Sequence, residues 1–128
     1  PLTELAAGLV RKDSDNDGHD LGELLGIDKN GILATSNVDE FVRVCDAVID
    51  FSSPALSLEV AAKCANYGKV MVCGTTGLSD EAKKDLAALG HKTVIIWSSN
   101  MSLGVNLLMN LDLKQKNATF CCQHKNSV

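Results

Sequence analysis

Apolar residues in this chain come in short runs, each separated from the next by polar or helix-length sequence. LAAGLV (5–10), GILAT (31–35), DAVIDF (46–51), KVMVC (69–73) and TVIIWS (93–98) are brief and rich in Val, Ile and small residues. Runs of this length are expected of strands buried within a sheet. Segments of helical length follow the last three runs, at Pro54–Tyr67, at Ser79–Leu89 and from Ser102 to about Leu113. The βαβαβα alternation predicts an α/β fold with a parallel sheet.

The predicted helix ends carry their own chemistry. Ser53 offers a capping hydroxyl ahead of Pro54, whose missing N–H costs nothing at the first helical position. Ser79, followed by Asp80 and Glu81, caps the next helix and places negative charge at its positive end. Gly68 and Gly90 are expected to stop these two helices by adopting positive φ. Beyond Leu113 the tail LKQKNATFCCQHKNSV shows no decisive periodicity.

Length and composition narrow the class. A chain of 128 residues can bury one core, and 45% hydrophobic with 22% charged residues is ordinary for a soluble domain. A net charge of −4, one Trp and one Tyr argue against nucleic acid and against anionic membrane surfaces as ligands. No apolar run approaches the roughly 20 residues of a membrane span, and PLTELAAGLV lacks the layout of a signal peptide. A cytoplasmic location is therefore expected. Five cysteines stand at positions 45, 64, 73, 121 and 122, with no CxxC pair, so reduced thiols and no metal site are expected. Cys45, Cys64 and Cys73 lie in apolar surroundings and are expected in the core, while Cys121 and Cys122 receive no role.

The acidic stretch RKDSDNDGHDLGEL (11–24) resembles half of a calcium loop. Asp13, Asp15, Asp17 and Gly18 match positions 1, 3, 5 and 6 of an EF-hand, but position 12 is Leu24 and Glu23 falls one place early. The bidentate ligand is absent, and the preceding run is strand-like, so calcium binding is not expected. The same loop follows a predicted strand at its carboxyl end, where open α/β sheets bind ligands. Val10-Arg11-Lys12 there offers two cations and no acid, which would suit a phosphate better than a diol; equally, the cations could simply begin an exposed loop.

Three more strand ends are small and polar: DFSSP (50–54), CGTTG (73–77) and WSSNMS (97–102). Gly74 and Gly77 allow main chain to approach a ligand without a Cβ in the way. A strand, a small polar turn and a capped helix together can bind a flat or anionic group through main-chain donors. Any parallel sheet needs such turns, but three on one edge of a sheet form a candidate site. His19 lies in the polar loop and His91 at a helix end, where histidines are mostly silent, while His124 stands beside Lys125 in the tail, where a catalytic pair would need a substrate pocket that this chain hardly has room to build.

Taken together, DAVIDFSSP (46–54), KVMVCGTTGLSDEAKKDL (69–86) and WSSNMSLGVNLL (97–108) resemble the dihydrodipicolinate reductase family, as does LGELLGI (21–27). The resemblance implies a Rossmann-like parallel sheet with helices on both faces, residues 1–112 forming a partial dinucleotide-binding domain and 113–128 a divergent tail. It implies an NAD(P)H-dependent reductase of a cyclic unsaturated dicarboxylate in lysine and diaminopimelate biosynthesis, tetrameric when complete. By resemblance, Gly74, Thr75 and Thr76 form the turn that holds the nicotinamide carboxamide, and Ser98, Ser99, Asn100 and Met101 form a second nicotinamide-side segment. Phe51 matches an aromatic lying against the cofactor. Arg11 matches a basic residue at the adenosine ribose, and Val10 replaces the acid of many members, which favours NADPH over NADH. The family's glycine-rich G-x-x-G-x-M-G turn and its E-x-H-H-x-x-K-x-D-x-P-S-G-T motif do not occur in these 128 residues. The fold is therefore expected without its first strand-helix unit and without the substrate domain, and no catalytic residue is carried over. The competing expectation is a non-catalytic remnant that binds a nucleotide or packs against a partner.

Overall fold

The structure, a computed structural model, describes residues 3–102 and 105–106. The chain divides into two compact units, residues 1–98 and 99–128. In the first unit the elements run β1 (Gly8–Leu9), α1 (Leu21–Leu24), β2 (Ala34–Thr35), α2 (Val38–Val44), β3 (Ala47–Asp50), α3 (Pro54–Tyr67), β4 (Val70–Cys73), α4 (Asp80–Leu89) and β5 (Ile95–Trp97). All five expected strands form, each shorter than its apolar run, because pairing ends where the neighbouring strand ends.

The strands make two parallel sheets. β1 pairs with β2, and β3, β4 and β5 pair in that order. Alternation along β3 and β4 turns Val48, Asp50, Met71 and Cys73 to one face, all of them buried. That face meets Val60, Ala61 and Cys64 of α3 and Ala82 and Leu86 of α4, and α2 extends the same core with Val38, Phe41 and Val42. The opposite face carries Ile49 and Ile96, both exposed.

The helix α3 covers Pro54–Tyr67, the bounds expected from the sequence, and ends on Gly68 at φ 65°. Ser53 occupies the cap position, but its hydroxyl makes no capping bond. The polar anchors at this end are its neighbours Ser52 and Ser57, both bound to Asp50. At α4, the Ser79 hydroxyl accepts from the Ala82 amide at 3.1 Å. Gly90 ends α4 with φ −60°, so the expected left-handed stop is not used. The last turn instead tightens through Ala88, whose carbonyl accepts from His91, and Leu89, whose carbonyl accepts from Lys92.

Two helices were not expected. α2 is capped by Asn37, whose side chain accepts from the amides of Asp39 and Glu40. Its outer face is tied to α3, because Asp39 accepts from Lys63 at 2.6 Å and from Tyr67 at 2.8 Å. α1 is a single turn capped by Asp20. Cys45, Cys64 and Cys73 are buried free thiols, as expected, and burial pushes the Cys64 thiol up to about 11, away from reactive thiolate. Of the helix expected from Ser102, Val105 and Asn106 are helical; its remainder, Cys121, Cys122, His124 and the tail lie outside the described residues. Among the described residues no helix is long and apolar enough to cross a membrane.

Candidate functional site

Because β3, β4 and β5 run parallel in one sheet, their carboxyl ends share an edge, and the three small polar segments begin there. Main-chain bonds hold the edge in register. The Gly74 amide donates to the Asp50 carbonyl at 2.8 Å, and the Ser98 amide to the Cys73 carbonyl at 3.1 Å. Four of the residues singled out from the sequence, Phe51, Gly74, Thr75 and Ser98, are thus gathered around the end of β4, with Thr76 next in the turn.

The contact of Phe51 with Gly74 is close. A Cβ added at Gly74 would lie 2.0 Å from Cε1 of the Phe51 ring. Glycine at 74 is therefore what lets the ring sit over the turn. The ring's other face is open, since Phe51 is 66% exposed. Gly77 takes φ 76°, which folds the turn back towards the cap of α4. Leu78 then anchors it in the core. Within the turn, the main-chain N–H groups of Thr76 and Gly77 donate to no described partner.

Beneath this turn lies a buried polar cluster that the sequence reading did not assign. Asp50 is buried at the last position of β3. Its Oδ1 accepts from the Ser52 amide at 3.1 Å and hydroxyl at 2.5 Å, and its Oδ2 accepts from the hydroxyl of Ser57. The Thr75 hydroxyl also reaches Oδ2, at 3.0 Å, as does the Cys73 thiol at 3.4 Å. The Ser57 and Thr75 hydroxyl oxygens are 2.8 Å apart. Burial pushes the Asp50 carboxyl up, but the donors from Ser52, Ser57, Thr75 and Cys73 outweigh it, so the group titrates below the ordinary aspartate range. From the third strand, Trp97 Nε1 donates to the Thr75 carbonyl at 3.1 Å. The signal was present in the alternation: an acid on the same face as Val48 must either find donors or stay neutral.

Arg11 and Lys12 are exposed just past the end of β1, in the two-stranded sheet. Ser99, Asn100 and Met101 belong to the second unit, where Asn100 accepts from the Ser102 amide at 2.8 Å and, through its carbonyl, from Asn106. A cavity of about 470 Å³ lies beside β1, β2 and α2, lined by Ala7, Ala34, Thr35, Phe41 and Val44 among others.

Two acids of the 11–24 stretch, Asp17 and Asp20, have main-chain partners. Asp17 accepts from the Ser36 amide at 2.9 Å and hydroxyl at 2.6 Å. Asp20 is buried and accepts from four main-chain amides: Gly22, Glu23, Asn30 and Gly31. Burial alone would raise its pKa; the four amides bring it below the usual value. Among the described residues no group of three or more His, Cys, Asp or Glu could hold a metal ion.

The family described as dihydrodipicolinate reductase, N-terminus, matches residues 1–101. The chain belongs to the dihydrodipicolinate reductase family. It is 40% identical over 111 residues to 4-hydroxy-tetrahydrodipicolinate reductase of Hahella chejuensis, covering 87% of this chain and 42% of that protein. The enzyme of the same name from Chromohalobacter salexigens is 39% identical over 111 residues, again 87% of this chain and 41% of the relative. That from Acinetobacter baumannii is 40% identical over 108 residues, 84% and 40% respectively. The chain thus spans about two-fifths of the length of the relatives it matches. An amine dehydrogenase from Mycobacterium smegmatis shares the fold with a TM-score of 0.59, at 21% identity, over 73% of this chain and 30% of that one. The α/β fold expected from the sequence is the one observed, with its parallel strands divided between two sheets where one was expected, and the family named by its motifs is the one matched.

Proposed function

We propose that this chain supplies the cofactor-binding part of an NAD(P)H-dependent reductase acting on a cyclic unsaturated dicarboxylate of the dihydrodipicolinate type, in lysine and diaminopimelate biosynthesis. The observation that carries this is the turn after β4. An aromatic ring is seated on a side-chain-free Gly74, and in the same turn the Thr76 and Gly77 amides donate to no described partner. A nicotinamide carboxamide has the carbonyl that such amides lack, and its flat ring suits the open face of Phe51. These residues fit the group.

Reduced nicotinamide dinucleotide, when bound, supplies the hydride. What this chain's own residues do is orient and hold. Thr76 and Gly77 donate main-chain hydrogen bonds, Gly74 lets the backbone approach, and Phe51 bounds the ring position on one side. Arg11 and Lys12 provide positive charge for the adenosine end, with Val10 leaving no acceptor for a diol, and NADPH is the favoured cofactor. Proton donation and recognition of the substrate carboxylates are functions of the complete, tetrameric protein. The 128 residues contain no match to the family's paired-histidine motif.

The test is titration of the chain with NADPH, read by emission of Trp97, the single Trp, whose indole bonds the turn. Saturable quenching that weakens when Phe51 is replaced by Ala is expected. Absence of saturable binding of either NADPH or NADH refutes the proposal.

A further inference from the structure

We infer that Asp50 is a positioning residue for the nicotinamide end of the site, an inference that rests on the cofactor reading above and extends it to a buried group that touches no ligand. The geometry is that of a clamp under the turn. One carboxylate oxygen gathers Ser52, from the segment that follows Phe51; the other gathers Ser57 of α3 and Thr75 and Cys73 of the β4 end. Thr75 is in turn held through its carbonyl by Trp97 of β5. A single anion thus links the three strand ends whose relative placement sets where Phe51, Thr76 and Gly77 stand.

The charge matters to the arrangement, beyond the volume. A carboxylate only accepts, and every group around it is a donor: one amide, three hydroxyls and a thiol. Asn fills the same space but must turn an NH₂ towards either Ser52 or the Ser57–Thr75 pair. Whichever side receives it loses its acceptor, and the hydrogen bonds that place Thr75 or Ser52 rearrange. The Ser57 and Thr75 hydroxyls can accept from that NH₂ only by turning their own protons away from residue 50, which breaks the donor pattern that holds the two segments together. Phe51 and Thr76 would shift with their neighbours, while Arg11, in the other sheet, would not.

The experiment compares wild type with Asp50→Asn in two titrations on the full chain. One uses NADPH; the other uses adenosine 2′,5′-bisphosphate, which has the phosphorylated ribose but no nicotinamide. Asp50→Asn is expected to weaken NADPH about tenfold, the loss of one hydrogen bond to a charged group, and to leave the bisphosphate within about twofold. Equal weakening of both would reduce Asp50 to a general structural role and overturn the inference, as would unchanged NADPH affinity. A parallel measurement needs no ligand: the Thr76 and Gly77 amide and Trp97 indole proton resonances should shift in the variant while those of Phe41 and Val42 on α2 stay. Unmoved turn resonances overturn the inference even if the wild type binds nothing. A wild type that ignores NADPH while its turn responds to Asp50→Asn would sink the cofactor reading and leave Asp50 as the group that sets the turn.

Discussion

Gly74→Ala separates the binding role of the turn from its contribution to folding. The new methyl would lie 2.0 Å from Cε1 and 2.6 Å from Cδ1 and Cζ of Phe51, so one of the two groups must move. Backbone conformation does not forbid the methyl, because Gly74 is not among the residues with positive φ. The yielding partner is the ring, which is 66% exposed and free to swing into solvent. Fully burying a Phe side chain contributes about 1.5–3 kcal/mol, and only about a third of this ring is covered. The stability loss should therefore be about 0.5–1 kcal/mol. The displaced ring, however, would leave the place where the nicotinamide is bounded, and NADPH affinity should fall at least tenfold. Urea unfolding followed by Trp97 emission gives the first quantity and a cofactor titration gives the second. A loss of more than about 3 kcal/mol would show that the ring cannot swing out and that the turn is rigidly packed. Wild-type affinity in the variant would show that the Phe51–Gly74 contact has no part in binding.

Three further outcomes are expected. NADPH should bind more tightly than NADH, and Arg11→Ala should remove most of a roughly ten- to hundredfold difference, less of it at high salt; equal dissociation constants at low salt would refute this. Asp20 and Asp50 both titrate below the ordinary aspartate value of 3.8 in the folded chain. Their stabilisation is therefore complete above that value and lost as the pH falls through their lowered values, so Asp20→Ala should flatten the acid side of the stability profile below about pH 4. An unchanged acid limb would show that its four amides find other acceptors. The 128 residues alone should show no reductase turnover once host enzyme is excluded, and turnover at this mass would overturn that expectation.

The parts of the fold that were legible in the sequence are those decided by local physics. Pro54–Tyr67 declared both its ends, with a proline at the first helical position and a glycine that adopts positive φ just after the last. The strands declared themselves as apolar runs, but not their partition into two sheets, because pairing depends on neighbours far along the chain. α2 was legible and missed: Asn37 as cap, then Val38, Phe41, Val42 and Cys45 at i, i+3, i+4 and i+7, all buried. Its seven residues are short enough to pass for a connection between two strand-like runs. Gly90 shows the opposite error, since a glycine after a helix permits a left-handed stop without requiring one.

The same division runs through the site. Gly74, Thr75 and Thr76 were visible because their turn, one of three small polar strand ends on one edge, matches a family motif, and the structure supplies what composition could not, the ring that makes glycine necessary at 74. Asp50 does not stand out within the DAVIDFSSP motif, since an acid at a strand end usually faces water. Parity decides otherwise. Val48 and Asp50 share a face, that face is covered by α3, and a carboxylate there remains ionised only if donors arrive from other segments. Those donors come from Ser57, seven residues on, and from Cys73 and Thr75, more than twenty residues on, and each is unremarkable by itself. The turn that the sequence makes conspicuous is thus held in place by a group whose importance arises only when three strand ends come together.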